Sequence, residues 1–94
     1  MSEKLVQSNL IKHLKSKGFY VIKTHPGLGT PTGCPDVIAL GEGFWIAFEC
    51  KDRSNSKHQP LQKETINKLN EMSFAWVIHN DNYKDVIKDI DNLL

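Results

Sequence analysis

The segment from Pro35 to Lys51 constrains the fold more than any other part of the chain. Two apolar runs, Pro35–Leu40 and Phe44–Lys51, flank Gly41-Glu42-Gly43. Runs of that length, rich in β-branched and aromatic residues and separated by a glycine pair, predict two strands joined as a hairpin. Side chains alternate across a strand, so the second run separates into two faces. Phe44, Ile46, Phe48 and Cys50 make one face, wholly apolar, while Trp45, Ala47, Glu49 and Lys51 make the other. The turn decides which residues of the first strand join them. With Glu42-Gly43 as the two-residue turn, Asp36 stands directly opposite Glu49. With Gly41-Glu42 it stands opposite Ala47, one diagonal away on the same face. Either register gathers Asp36, Glu49 and Lys51 on one side of the sheet. A three-residue loop without a bulge separates them.

Ser2 is positioned to cap a helix whose apolar residues Val6, Leu10, Ile11 and Leu14 follow a 3.6-residue period. Gly18 suits its C′ stop, after lysines that complement the last turn. Phe19–Ile22 predicts a strand, and His25–Gly33, with three glycines and two prolines, a loop. Beyond the hairpin, residues 52–58 are polar and irregular. Pro60 then suits the first turn of a helix that carries Leu61, Ile66 and Leu69 inward. Phe74–Ile78 predicts a fourth strand. From about Asn82, Val86, Ile87, Ile90, Leu93 and Leu94 mark a last helix. The order is αβββαβα, an α/β fold in one domain over residues 1–94, with no internal repeat.

Ninety-four residues make one small domain with a thin stability margin. Its composition, 39% hydrophobic and 24% charged, is that of an ordinary globular chain. No stretch approaches the ~20 apolar residues that span a bilayer, and the polar N-terminus carries no secretory h-region. These features predict a cytoplasmic protein, of a bacterial or phage-infected cell, with no membrane partner and no small-molecule cofactor. Cys34 and Cys50 lack zinc spacing and are expected to be reduced thiols. Nor do His13, His25, His58 and His79 make a metal cluster by spacing. Trp45 and Trp76 are expected in the core. The net charge of +1 is unevenly spread. Residues 1–25 hold five lysines against one glutamate, whereas residues 64–94 hold three lysines against six acids. A basic front and an acidic tail suit an anionic partner met on one side, as does a solvated surface.

Two carboxylates and an ammonium at the end of a core strand need partners, because burying an unpaired carboxylate costs several kcal/mol. A hard divalent cation is one such partner: Mg²⁺ takes carboxylate oxygens and keeps waters for substrate phosphate. An acid–lysine pair at a sheet edge is the other. Glu3 precedes Leu10 by seven residues and so shares the face of Val6, Leu10 and Leu14. That places it either toward the same site or as a first-turn acid favoured by the helix dipole.

The string Gly33-x-Pro35-Asp36, then Glu49-x-Lys51, then Gln62 at a helix start resembles the virus-type replication-repair nuclease (VRR-NUC) domain. That domain belongs to the PD-(D/E)XK nuclease superfamily, with restriction endonucleases and archaeal Holliday-junction resolvases. An acid in the first helix, matched by Glu3, completes the pattern, and the resemblance runs from about residue 2 to residue 79. It implies a restriction-endonuclease-like core, a mixed four-stranded sheet flanked by helices. It also implies hydrolysis of DNA phosphodiesters, at branched DNA such as four-way junctions. Asp36, Glu49 and the carbonyl of Cys50 would hold Mg²⁺, for which Mn²⁺ may substitute, with Glu3 a direct or water-mediated ligand. Lys51 would orient the attacking water and stabilise charge on phosphorus, and Gln62 would steady that neighbourhood. Junction resolvases of this kind are homodimers, so a homodimer is expected.

Lys23, His25, Gly33, Arg53, Lys57 and His58 are the candidates for holding DNA, since a glycine-rich loop lets backbone approach a phosphodiester closely. The competing expectations are a catalytically silent nucleic-acid-binding module of the same fold and a small interaction domain with incidental charges.

Overall fold

The computed structural model describes residues 1–25, 27, 29–53 and 60–94, and at residues 60 and 61 the backbone alone. The elements follow the expected order: α1 (Glu3–Ser16), β1 (Tyr20–Lys23), β2 (Val37–Leu40), β3 (Trp45–Cys50), α2 (Pro60–Met72), β4 (Phe74–Ile78) and α3 (Tyr83–Asn92).

Helix α1 begins where the Ser2 hydroxyl accepts the Leu5 N–H at 3.1 Å, satisfying one of the unpaired donors of the first turn. It ends in a Schellman motif. Gly18 takes φ +91°, its N–H donates to the Lys15 carbonyl, and the Phe19 N–H donates to the Leu14 carbonyl. Because that cap occupies the Phe19 amide, β1 starts at Tyr20, one residue later than the apolar run suggests.

The sheet order is β1-β2-β3-β4. The first two pairings are antiparallel hairpin neighbours, and β3 and β4 run parallel, joined by the crossover through α2. The sheet is therefore mixed, as in a restriction-endonuclease-like core. Helices α1 and α3 cover one face, where Val6, Leu10, Leu14, Val37, Ile46, Phe48, Ile78 and Ile90 are fully buried. Burying one such side chain stabilises by about 1.5–3 kcal/mol. His13 of α1 reaches Asp91 of α3 at 2.7 Å across this layer. On the other face α2 packs Ile66 against Ala47 and Ala75, with Leu69, Trp45 and Val77 around them. The expectation for the Leu61 side chain lies outside the described residues.

Helix α2 lies over β3 and β4, and among the described residues no helix packs on the β1–β2 half of that face. Tyr20 is 70% exposed there, with Ile22 and Leu40 beside it. Among the described residues no helix is long and apolar enough to cross a membrane.

Candidate active site

The β2–β3 register settles the question left by the sequence. Val37 pairs with Phe48 and Leu40 with Trp45, and the Gly41 N–H donates to the Phe44 carbonyl at 2.9 Å. Glu42-Gly43 is therefore the turn, with Gly43 at φ +82°, a left-handed value that favours glycine. Carried one residue past Val37, this register sets Asp36 across from Glu49.

Strand β2 begins at Val37, two residues after the sequence suggests, since Pro35 has no N–H to give to a ladder. The Pro35-Asp36 segment is held instead by Thr24. Its hydroxyl donates to the Pro35 carbonyl at 2.6 Å, and its N–H donates to the Asp36 carbonyl at 2.9 Å. Asp36 Oδ2 in turn accepts the Cys50 N–H at 2.8 Å. Thr24 is a positioning residue that sequence reasoning missed. No local sequence pattern marks it: only the pairing of Lys23 with Val37 in the folded sheet sets residue 24 opposite residue 36.

Glu49 is 1% exposed, and its Oε2 has no hydrogen-bond partner. Its pKa is pushed up to about 8, first by burial and then by the hydrogen bond to Asp36 and that residue's charge. Lys51 opposes the shift and Glu3 adds to it. Burial also pushes the Cys50 thiol far up, so this side chain is inert core; its part in the site is its backbone. The Lys51 N–H donates to the Ile78 carbonyl at 2.9 Å, which anchors the end of β3 against β4.

In front of Asp36 lies a cleft of about 350 Å³, lined also by Thr24, Thr30, Gly33, Cys34 and Gln62. Gln62 arrives from the second residue after Pro60, so α2 points its N-terminal end at the cleft. Gly33 has φ +81°, and here backbone forms part of the wall.

The remaining candidates are scattered. Glu3 opens α1 at the surface, its charge felt at Glu49 and Cys50. Among the described residues no three His, Cys, Asp or Glu side chains gather to hold a metal, so Glu3 does not complete a carboxylate triad in this arrangement. His25 and Arg53 are exposed, and Lys23 lines a different groove from Asp36. Lys57 and His58 lie outside the described residues.

The donor set still fits a hard divalent cation. Two carboxylates with one buried oxygen lacking a partner are what Mg²⁺ uses when it leaves its other positions to waters and phosphate. Among the described residues, Cys34 alone brings one of zinc's nitrogen or sulfur side-chain donors to the cleft.

The family model described as archaeal Holliday junction resolvase (hjc) matches residues 4–83. That span takes in all four strands, Asp36, Glu49, Lys51 and Gln62, and leaves out Glu3 and nearly all of α3. No curated protein matches the chain. With a match over most of its length, the chain belongs to the archaeal Holliday junction resolvase family, a group of PD-(D/E)XK-like nucleases.

Proposed function

We propose that the protein is a metal-dependent endonuclease that hydrolyses phosphodiesters at branched DNA such as four-way junctions. The observation that carries this reading is Glu49, a buried carboxyl that hydrogen-bonds Asp36 and leaves its Oε2 without a partner, while Asp36 itself lines an open cleft. Such a group costs stability in the free protein and is retained where a ligand compensates it.

Asp36, Glu49 and the Cys50 carbonyl would hold Mg²⁺ or Mn²⁺, with Glu3 acting through water. The bound ion would supply Lewis-acid polarisation of the phosphate and a more acidic water. The chain's own residues do the rest. Thr24 and the Cys50 amide hold Asp36 in place, so it enters the reaction without reorganising. The Lys51 ammonium stabilises charge as water oxygen bonds to phosphorus and the ester P–O bond breaks. Gln62 orients the water or the phosphate from across the cleft. The α2 N-terminus adds its partial positive charge.

Paired cuts in a junction take two such sites, and we read the protein as a homodimer. The uncovered apolar face at Tyr20, Ile22 and Leu40 supports that reading. The Gly33-x-Pro35-Asp36, Glu49-x-Lys51 and Gln62 spacing further supports kinship with VRR-NUC domains inside the same superfamily.

The test compares cleavage of a four-way junction with cleavage of its linear arms in Mg²⁺. Faster cutting of the junction is expected. Equal rates on both substrates would remove the structural selectivity, and no cutting in Mg²⁺ or Mn²⁺ would remove the nuclease.

A further inference from the structure

A second concavity, of about 360 Å³, lies between α1 and β1 and shares no lining residue with the cleft at Asp36. Four lysines line it: Lys4, Lys12 and Lys15 from α1 and Lys23 from β1, with Ser8 and Gln7 on its floor. Residues 4, 8, 12 and 15 recur at the helical period and so stand in one row. All four lysines are exposed, and among the described residues none lies within ion-pair distance of a carboxylate. Lys17 differs: it turns the other way, toward Asp91 of α3. The only acid on α1 is Glu3, at the very start of the helix. Four like charges held around one groove, without counter-charges, repel one another unless an anion joins them.

The row from Lys4 to Lys15 is about 16 Å long at 1.5 Å per residue. A strand lying along a row of that length meets more than one phosphate, so the lysines can act on it together. Lys23 pairs with Val37 and so faces the α1 side at the β1 edge of the sheet, while the next residue, Thr24, faces the other side, where it lines the cleft and clamps Asp36. The groove is thereby separated from the cleft by the β1 edge alone, so DNA held in it lies outside the cutting site.

We propose that the α1–β1 groove, lined by Lys4, Lys12, Lys15 and Lys23, is a phosphate-backbone track that seats a duplex arm of the DNA substrate outside the cutting site. This inference rests on the nuclease reading above and adds to it where the uncut arm is held. Contacts of this kind read phosphate, not sequence, and release counterions.

The test measures binding of a fluorescein-labelled four-way junction by anisotropy across a salt series, in chelator so that no DNA is cut. Lys4, Lys12 and Lys15 are changed together to Gln. A second variant changes them to Arg. A third, K68Q/K84Q/K88Q, removes the same charge from α2 and α3. The Gln variant of the groove is expected to bind about tenfold more weakly near 0.1 M salt, with a log–log salt slope shallower by about 2 to 3. The Arg variant should keep both values, and so should the α2–α3 variant. An unchanged slope in the groove variant, or an equal loss in the α2–α3 variant, overturns the track. Wild-type cleavage is scored separately. Junction cutting with an unchanged slope ends the track and leaves the nuclease. A reduced slope without cutting in any metal upholds the track on a protein that binds and does not cut.

Discussion

Glu49 and Phe48 are neighbours on β3, equally buried, and face opposite layers of the molecule. Phe48 packs among apolar side chains of α1 and α3, and everything it touches gains from the contact. Glu49 points to the α2 side, where Ala47 and Ala75 pack with Ile66 and the sheet end opens toward Asp36. The same depth therefore has opposite meanings. Burial on the Phe48 face stabilises the fold; burial on the Glu49 face opposes it and readies a carboxyl for a ligand.

The strongest way to break this contrast is to remove the ligand that the Glu49 face is read as holding. Excess chelator should reduce junction cleavage to background, while Mg²⁺ or Mn²⁺ restores it and Ca²⁺, with longer and looser coordination, supports binding without efficient cutting. Undiminished cleavage in chelator, followed on gels, would show that the chemistry needs no cation.

Next come substitutions on the two faces. Glu49→Gln should lower the cleavage rate by about 10²–10³ or more, with a melting temperature at or above wild type, because an amide, unlike the buried carboxyl, never has to be protonated to stay neutral. Phe48→Ala should do the reverse, costing about 3–5 kcal/mol of stability. Its activity should survive in whatever fraction stays folded. Thermal melts and single-turnover rates on both variants check this, and a stable Phe48→Ala protein with no activity would erase the distinction between the faces.

A smaller effect follows from pH. Folded Glu49 holds its proton to about pH 8, whereas its ordinary value is 4.5. Between these values the folded protein binds more protons than the unfolded chain, so this group's contribution is full below 4.5 and is lost as pH rises through 8. In metal-free buffer the stability difference between wild type and Glu49→Gln should shift toward the variant from pH 5 to pH 8. A difference independent of pH would mean that Glu49 is not held protonated.

The smallest effect is expected at Glu3, which lies outside both faces. If its charge helps the site through water, Glu3→Gln should weaken metal affinity and slow turnover at least about tenfold. If it only complements the helix dipole, stability falls by a few tenths of a kcal/mol and the rate stands. A metal titration of cleavage rate with an unchanged midpoint and maximum would return Glu3 to the dipole.

How much of this was legible beforehand depended on the distance over which each cause acts. The Ser2 cap, the Gly18 stop, the two faces of β3 and the hairpin are properties of a few adjacent residues and the fixed periods of helix and strand. They could be read in the chain, and so could the two tight turns that set Asp36 on the face of Glu49; which turn the hairpin takes, and that no three-residue loop intervenes, could not. Boundaries slipped by a residue or two where a neighbour claimed an amide, as the α1 cap did at Phe19. Glu3 illustrates the limit: its helical face was correct, yet a face does not say how far a side chain stands from a partner on another element.

By itself, then, the sequence determined the element order and the two faces of β3 that divide Glu49 from Phe48. Those follow from backbone geometry repeated every two or 3.6 residues. Only the tertiary structure decided that Thr24 clamps Asp36, that Glu49 loses its water and keeps an unpaired oxygen, that Gln62 crosses to the cleft, and that Lys23 joins the row on α1. Desolvation and charge coupling are set by whatever the rest of the chain brings within a few ångströms, and no local period encodes that.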